Sequence, residues 1–457
     1  MILQSLTNYY DRLAADSSSG IAPEGYSSEK ISFCLVLNPQ GRLVDVKDLR
    51  EPKGKKNVPR AMLVPGGGKR TSGIKSFTLW DNTGYVLGAS GPDGKDSPEK
   101  LAAKFSAFKT RQTEFLAQAE DEGVRALCRF LEQWNPEDAP SLRYWEEMAG
   151  ANLVFQLEGE QKYLHERSKV RAILRQGSPG EGAEGEGFCL VSGELKPIAR
   201  LHPAIKGVWG AQTMGAALSS FNLDAFTSHG KEQNYNAPVG QDAAFAYATA
   251  LNHLLRQGSR QRLQIGDATT VFWTERPSPA EDFVAAIFST PRTEEKGAEA
   301  EDHALVQKTR GVLEAIRQGR HPPDLGDPEV PFYILGLGPN ASRLSVRFWH
   351  VGTVGELAEN LGQHFADLEL ERQYTNEPEF PDLWRLLIQL TPHREGQKSR
   401  SEDIPPPLAA AFMRALLTGA DYPPGLYSGV LGRFRADHAI TYLRVALLKA
   451  CMVRRAR

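Results

Sequence analysis

The chain has 457 residues, of which 41% are hydrophobic and 24% charged, and its formal net charge is −2. This composition is ordinary for a soluble globular protein, the length predicts two or three domains, and the near-zero charge means that any nucleic-acid binding must depend on local patches. No apolar run reaches the roughly 18 residues of a membrane span, the N-terminus lacks the features of a signal peptide, and the four scattered cysteines argue against disulfides or structural zinc and favour a reducing cytoplasm.

The first third of the chain is predicted to form strands and then helices. Strand-like residues cover 31–37, 42–46 and 76–87. Ser97 followed by a proline is a typical helix start, and apolar residues at helical spacing predict helix from there to Trp134.

A segment rich in glycine and glutamate, 176–187, is predicted to be a linker because it cannot bury enough apolar surface to order itself. The elements predicted after it are a strand over 188–191, a helix over 241–255, and strands over 269–273, 332–337 and 343–349. In the last of these strands, strict alternation would put Leu344, Val346 and Phe348 on one face.

The C-terminal part is predicted to be mainly helical. Thr353 and Glu356 have the spacing of a capping box, and further helices are expected over 408–417 and 436–453. The predicted fold class is therefore α+β, with a mixed N-terminal lobe of several subdomains containing antiparallel sheets and helices, followed by the start of a helical region. The predicted boundaries are 1–175, 188–395, which completes the lobe, and 404–457.

Positive charge is concentrated between residues 53 and 75, here called the basic segment, which has no acidic residue. Its cationic residues are Lys53, Lys55, Lys56, Arg60, Lys69, Arg70 and Lys75. Glycine lets a backbone approach a ligand closely, and the residues that follow the glycines have donors for phosphate oxygens and base edges. These residues are Gly66, Gly67, Gly68, Lys69, Arg70, Thr71 and Ser72. The segment predicts a nucleic-acid contact, and the alternative is a solvated turn whose charge serves only solubility.

The glycines do not form a nucleotide-binding P-loop. That motif needs glycine where Leu63 stands and serine or threonine where Arg70 stands. Hydrolysis of ATP or GTP is therefore not expected.

A second candidate cluster combines residues 206–213 with residues 231–236. Side-chain amides carry both a donor and an acceptor, which suits base edges, and they occur here at Gln212, Gln233, Asn234 and Asn236. Trp209 and Tyr235 have the rings needed to stack on an unpaired base. The alternative is an asparagine-rich turn that caps the helix at Gln241, with Trp209 in the core, and the sequence does not decide between the two.

No catalytic arrangement is evident. The ten histidines include no His-Glu-x-x-His motif, and no Gly-x-Ser-x-Gly motif is present. His202 and His229 are predicted to be structural, and Asp267 is predicted to be a turn residue. The chain is expected not to be an enzyme and to need no metal or cofactor.

Four stretches of the sequence carry a resemblance to a known family, and they are RTSGIKSFTLWDNTGYVLG from Arg70, CLVSGELKPIARLHPAIKGVWGAQTMGAALSSFN from Cys189, SHGKEQNYNAPV from Ser228 and FYILGLGPNASRLSVRFW from Phe332. They resemble the large subunit of the type I-C CRISPR Cascade complex. The matches keep the same order from the N-terminus to about residue 370 of this chain. The family normally continues into a longer C-terminal helical bundle, so this chain, which ends in a basic helix, is expected to be truncated or to lack that bundle.

The resemblance implies a non-catalytic subunit of an RNA-guided surveillance complex. Such a subunit lies beside the Cas5-type subunit at the 5′ handle of the guide RNA, near the backbone subunits. It recognises the short motif flanking the target, the PAM, on double-stranded DNA, helps to open the strands into an R-loop, and provides a platform for the helicase-nuclease.

In such a complex, guide pairing reads the sequence, so the protein need recognise only a few base pairs. The glycines at 66–68 are predicted to let the main chain approach a groove, where Lys69 and Arg70 contact phosphates or flanking bases and Thr71 and Ser72 hydrogen-bond nearby. The predicted wedge or base-edge readers are Gln212, Gln233, Asn234 and Asn236, and the predicted phosphate contacts are Lys231 and Lys75. The alternative is an assembly scaffold that grips the guide RNA or the Cas5-type subunit without reading DNA; a stand-alone nuclease has no carboxylate cluster to support it.

Overall fold

The computed structural model describes residues 1–16, 18–54, 56–66, 73–91, 94–175, 185–265, 268–288, 310–374, 377–392 and 403–457. Its helices and its largely antiparallel sheets confirm the α+β class. The labelled helices are α1 Ile2–Ala15, α2 Thr83–Val86, α3 Pro98–Ala119, α4 Glu122–Gln133, α5 Trp145–Met148, α6 Ser168–Arg175, α7 Gln241–Leu254, α8 Ala280–Phe288, α9 Val354–Leu368, α10 Leu383–Leu387, α11 Pro406–Thr418, α12 Pro424–Asp437 and α13 Tyr442–Ala456. The strands are β1 Tyr26–Ile31, β2 Phe33–Leu37, β3 Leu43–Asp48, β4 Glu51–Lys53, β5 Lys56–Val58, β6 Arg60–Pro65, β7 Trp80–Asn82, β8 Asn152–Leu157, β9 Glu186–Phe188, β10 Leu195–Pro197, β11 Arg262–Ile265, β12 Ala268–Thr274, β13 Pro331–Asn340 and β14 Arg343–Thr353. Within the described ranges, no helix combines the length and the apolarity that a membrane span requires.

The first sheet has the strand order β3-β2-β8-β7, in which only β2 and β8 run parallel. The helices α3 and α4 pack on it through a core that includes Phe33, Phe108 and Phe155. The predicted helix start is confirmed, because the Ser97 hydroxyl accepts a hydrogen bond from the Lys100 amide. The helix predicted to continue to Trp134 is confirmed as two helices, since Asp121 caps a new helix by accepting from two amides of its first turn.

The strand predicted over 76–87 is wrong for most of its length. Only Trp80–Asn82 forms a strand, and the next four residues form α2. The side chain of Asn82 accepts a hydrogen bond from the Gly84 amide, 3.1 Å away, and so opens the helix. Capping by a short polar side chain therefore outweighs the β propensity of the residues that follow.

The second sheet, β11-β12-β13-β14, is antiparallel throughout and lies between two cores. One face packs against α1 and α7, with Trp273 fully buried among aromatic rings. The predicted alternation in β14 is wrong because a β-bulge lies between Val346 and Phe348. The bulge puts Phe348 on the face opposite Leu344 and leaves Val346 largely exposed.

The other face of this sheet shares one hydrophobic core with the C-terminal helices. That core includes residues from Leu263 to Ala450. The predicted capping box is confirmed, because Thr353 and Glu356 exchange hydrogen bonds at the start of α9. The boundaries predicted for the three regions stay a prediction.

Burial of His165 predicts a loss of stability in mild acid. Neither ring nitrogen has a hydrogen-bond partner of normal geometry among the described residues, and the ring stacks on Tyr163 at 5.7 Å. Burial lowers the pKa of His165 from 6.5 to about 4, with a smaller effect of Arg171, and the Leu63 backbone offsets only part of this. Between these two pH values the unfolded chain binds a proton that the folded chain does not, so stability falls as pH falls through this window.

The variant His165→Phe keeps the stacked ring and removes the titrating group. We expect its urea midpoint to fall less than that of the parent protein between pH 7 and pH 5, while the exposed His229→Asn control falls as much as the parent. Equal losses in His165→Phe and the parent protein would contradict this assignment.

Candidate nucleic-acid interface

The chain on both sides of residues 67–72 is anchored to the core. On one side, β6 pairs with β1, and the Gly66 amide donates a hydrogen bond of 2.7 Å to the Gly25 carbonyl. On the other side, Phe77 stacks on Trp80, whose indole N–H donates to the Pro65 carbonyl at 2.8 Å. One tryptophan therefore ties the chain before residues 67–72 to the chain after them.

The central residues of the predicted site lie outside the described residues. They are Gly67, Gly68, Lys69, Arg70, Thr71 and Ser72. Of the other predicted residues here, Gly66 is exposed and Lys75 is half-buried. The DNA contacts predicted for this segment stay a prediction.

Residues 206–215, here called the Trp209 loop, form a closed loop on the surface. Ile205 and Ala216 exchange two backbone hydrogen bonds of 2.9 Å and close its base. Trp209 is 55% exposed and Met214 is 76% exposed. The alternative in which Trp209 lies in the core is therefore wrong, and the loop presents an indole ring to solvent.

Two polar side chains beneath this loop hold it in place by hydrogen bonds to its backbone, and neither of them was predicted from the sequence. On α7, the Asn252 side chain accepts from the Lys206 amide at 2.7 Å and donates to the Ala204 carbonyl at 3.1 Å. On β12, the buried hydroxyl of Thr269 accepts from the Trp209 amide at 2.9 Å. The only signal for Asn252 was a polar residue within an apolar helix.

The turn at 231–236 is braced by its own amides. Asn234 is only 2% exposed, and the Asn236 side chain donates to the carbonyls of Lys231 and Gln233. Gln233 accepts from the Arg200 guanidinium at 3.0 Å. In this conformation the asparagines shape the turn and Lys231 is its exposed cation.

The turn does not supply a side-chain cap for α7. The N-cap residue of α7 is Gly240, which has no side chain to cap the helix. Gln212 lies on the separate Trp209 loop, where it is exposed. The predicted base readers are thus divided between a presented residue, Gln212, and residues engaged within the turn.

The structure places the start of the Trp209 loop beside the strands that carry the basic segment. The Lys206 ammonium is 3.8 Å from the carboxylate of Glu29 in β1. Glu29 lies opposite Met62 of β6, three residue pairs before the pair of Tyr26 and Pro65 at the end of the ladder. At 3.3 Å per residue, this is about 10 Å along the strand. The start of the Trp209 loop and the paired strands β1 and β6 are therefore neighbours.

The histidines near these loops have no arrangement for metal binding. His202 lies 2.7 Å from the Tyr247 hydroxyl, and burial lowers its pKa to about 4, so its ring is neutral near pH 7. His229 lies in an exposed turn, and Asp267 lies outside the described residues. In the described part of the chain, no group of three or more His, Cys, Asp or Glu side chains is placed to hold a metal ion.

The family model of the CRISPR-associated protein (Cas_Csd1) matches residues 6–457. The chain belongs to this CRISPR-associated Csd1 family. The match extends over nearly the whole chain and includes the basic segment, the Trp209 loop and the C-terminal helices. It confirms the resemblance seen in the sequence, since this is the family of the type I-C large subunit. No curated protein matches the chain.

Proposed function

We propose that this Csd1-family protein is the non-catalytic large subunit of an RNA-guided Cascade complex that acts in antiviral defence in the cytoplasm. It recognises the PAM on double-stranded target DNA, aids strand opening and recruits the helicase-nuclease. The observation that carries the proposal is the position of an exposed, firmly held tryptophan loop beside the strands of the basic segment, in a chain of a CRISPR-associated family.

The two neighbouring elements have complementary chemistry for opening a duplex. Cations of the basic segment and Lys231 suit phosphates, which position a protein on DNA without reading sequence. The exposed amide of Gln212 suits a base edge in a groove. In this proposal the exposed ring of Trp209 stacks on an unpaired base at the opening point, where stacking on an aromatic side chain is worth about 1–3 kcal/mol per base.

The other proposed partners are the guide RNA at its 5′ handle, the Cas5-type subunit and the backbone subunits. Guide pairing carries the sequence specificity in this scheme, so the protein needs no long base-reading surface. The Trp209 loop has few exposed polar residues, which agrees with a protein that reads only a few flanking base pairs.

The double variant Lys69→Ala/Arg70→Ala tests the proposal in the assembled complex. We expect weaker binding to all duplex targets alike, and a salt dependence of log K that is shallower by about one per lost phosphate contact. Gln212→Ala should instead cost about 1–3 kcal/mol only on targets with the preferred flanking motif. Binding is measured by titration of labelled duplexes at several salt concentrations.

A matched control replaces two exposed cations elsewhere, Lys162 and Arg455, with alanine. This control should leave duplex binding unchanged. If Lys69→Ala/Arg70→Ala binds duplexes like the parent complex, the assignment of the basic segment to DNA is wrong. Loss of guide RNA with normal duplex binding would support the assembly scaffold instead.

A further inference from the structure

The β9–β10 ribbon points its apolar side chains to solvent. Phe188 and Leu195 are directly opposite each other in the antiparallel pair, and they are 70% and 59% exposed. Because side chains alternate along a strand, Pro197 shares their face, while Lys196 lies on the other face. A two-stranded ribbon on a free surface would be expected to have the opposite arrangement, with the lysine facing outward.

The orientation of the ribbon is fixed by the rest of the protein. The Lys196 ammonium is 2.7 Å from Asp242 on α7 and 2.7 Å from Glu194. Next to the ribbon, the Leu190 amide donates to the Pro238 carbonyl and the Cys189 sulfur accepts from the Gly240 amide. These contacts therefore hold the apolar face outward, and its exposure is not due to loose attachment of the ribbon.

An acidic cleft of about 480 Å³ adjoins the ribbon, between it and helices α1 and α7. Its lining includes the carboxylates of Asp11, Glu24 and Asp242 and the single cation Lys196. Burial, with a further effect of the Asp242 charge, raises the pKa of Asp11. A cation entering the cleft would relieve this crowding of negative charge.

We propose that the apolar ribbon and the acidic cleft form a docking surface for another protein subunit of the complex, one that presents an apolar side chain beside a lysine or arginine. The apolar side chain packs on Phe188 and Leu195, and the basic side chain enters the cleft. Charge decides between partners, because carboxylates repel phosphates and the same surface would not hold DNA or RNA. This surface shares no residue with the candidate nucleic-acid interface, and the proposal rests on the chain's place in the proposed complex but not on DNA recognition.

The test uses the full chain co-expressed with the protein subunits and guide RNA of its complex. We expect Phe188→Ser/Leu195→Ser to weaken association of the chain with the other protein subunits at least tenfold, measured by size-exclusion and titration of the purified chain into the remaining complex. Asp11→Lys/Glu24→Lys should also weaken it at least tenfold, and raised salt should weaken the parent protein. The control Ile440→Ser, which changes an exposed apolar residue in the connection between α12 and α13, should associate normally.

Hydrogen exchange of the parent protein gives a readout that does not depend on variant folding. Amides of residues 186–196 should exchange at least tenfold more slowly in the complex than in the isolated chain. Unchanged exchange there, or normal association of both double variants, would overturn the proposal. It would also be overturned if the isolated chain dimerised through this face, or if the serine variants lost duplex binding while associating normally with the protein subunits.

Discussion

Replacing Asp367 with alanine is expected to lower the free energy of unfolding of the C-terminal helices by about 3–5 kcal/mol. Asp367 on α9 is fully buried, and its carboxylate lies 2.8 Å from the guanidinium of Arg454 on α13. Arg454 also donates to the carbonyls of Ala415 and Ala420 and lies 4.1 Å from the centre of the Tyr422 ring. Without the carboxylate, the guanidinium would be a buried charge without its counter-ion, which is the costly case.

A second substitution distinguishes this cause from simple loss of packing. Arg454→Met in the Asp367→Ala background removes the unpaired charge, so the double variant should be more stable than Asp367→Ala alone. Urea midpoints and hydrogen exchange of α9 and α13 measure both effects. If the double variant is less stable than the parent protein by the sum of the effects of Asp367→Ala and Arg454→Met alone, the ion pair does not explain the result.

Gly207→Ala is expected to displace the Trp209 loop without removing any side chain from it. Gly207 has a φ of +90°, and a Cβ there would lie 2.7 Å from the Leu255 carbonyl oxygen. A non-glycine residue with positive φ costs about 1–3 kcal/mol, and the clash with backbone adds to it. We expect a local loss of hydrogen-exchange protection at residues 204–216, and weaker duplex opening by the assembled complex, detected with a fluorescent base next to the flanking motif.

The matched control for this variant is Gly258→Ala. Gly258 also has a positive φ, +83°, but a Cβ added there would have no atom within 4 Å. Gly258→Ala should therefore add a similar backbone strain, and lower the stability by a similar amount, without affecting duplex opening. Normal opening by a folded Gly207→Ala complex would show that the position of the Trp209 loop is not needed for opening.

The sequence predicted elements well where one local signal dominates. The capping box at Thr353 and the helix start at Ser97 are such cases, because the cap and the residues that it bonds lie within one turn. The strand at 76–87 was wrong because two competing local preferences overlap there. The bulge in β14 depends on how β13 pairs with it, which no pattern in β14 alone specifies.

The candidate site was predicted in composition but not in arrangement. Glycines, cations and amides could be found from residue types, whereas the exposure of Trp209 and the burial of Asn234 depend on distant partners. Thr269 is 60 residues from the tryptophan amide that it binds, and Asn252 is 46 residues from the amide of Lys206. Such long-range contacts leave no periodic pattern in the sequence.

The packing of α1 on the second half of the chain has a consequence for synthesis of the protein. The Tyr9 hydroxyl bonds to Gln261, 252 residues later, and the Tyr9 ring lies against Trp273. At a translation rate of about 5–20 residues per second, the first helix emerges roughly 10–50 s before the residues that cover it. During that interval its apolar side is open to chaperones and to aggregation, so the yield of native protein should depend on how fast the ribosome proceeds between these two points.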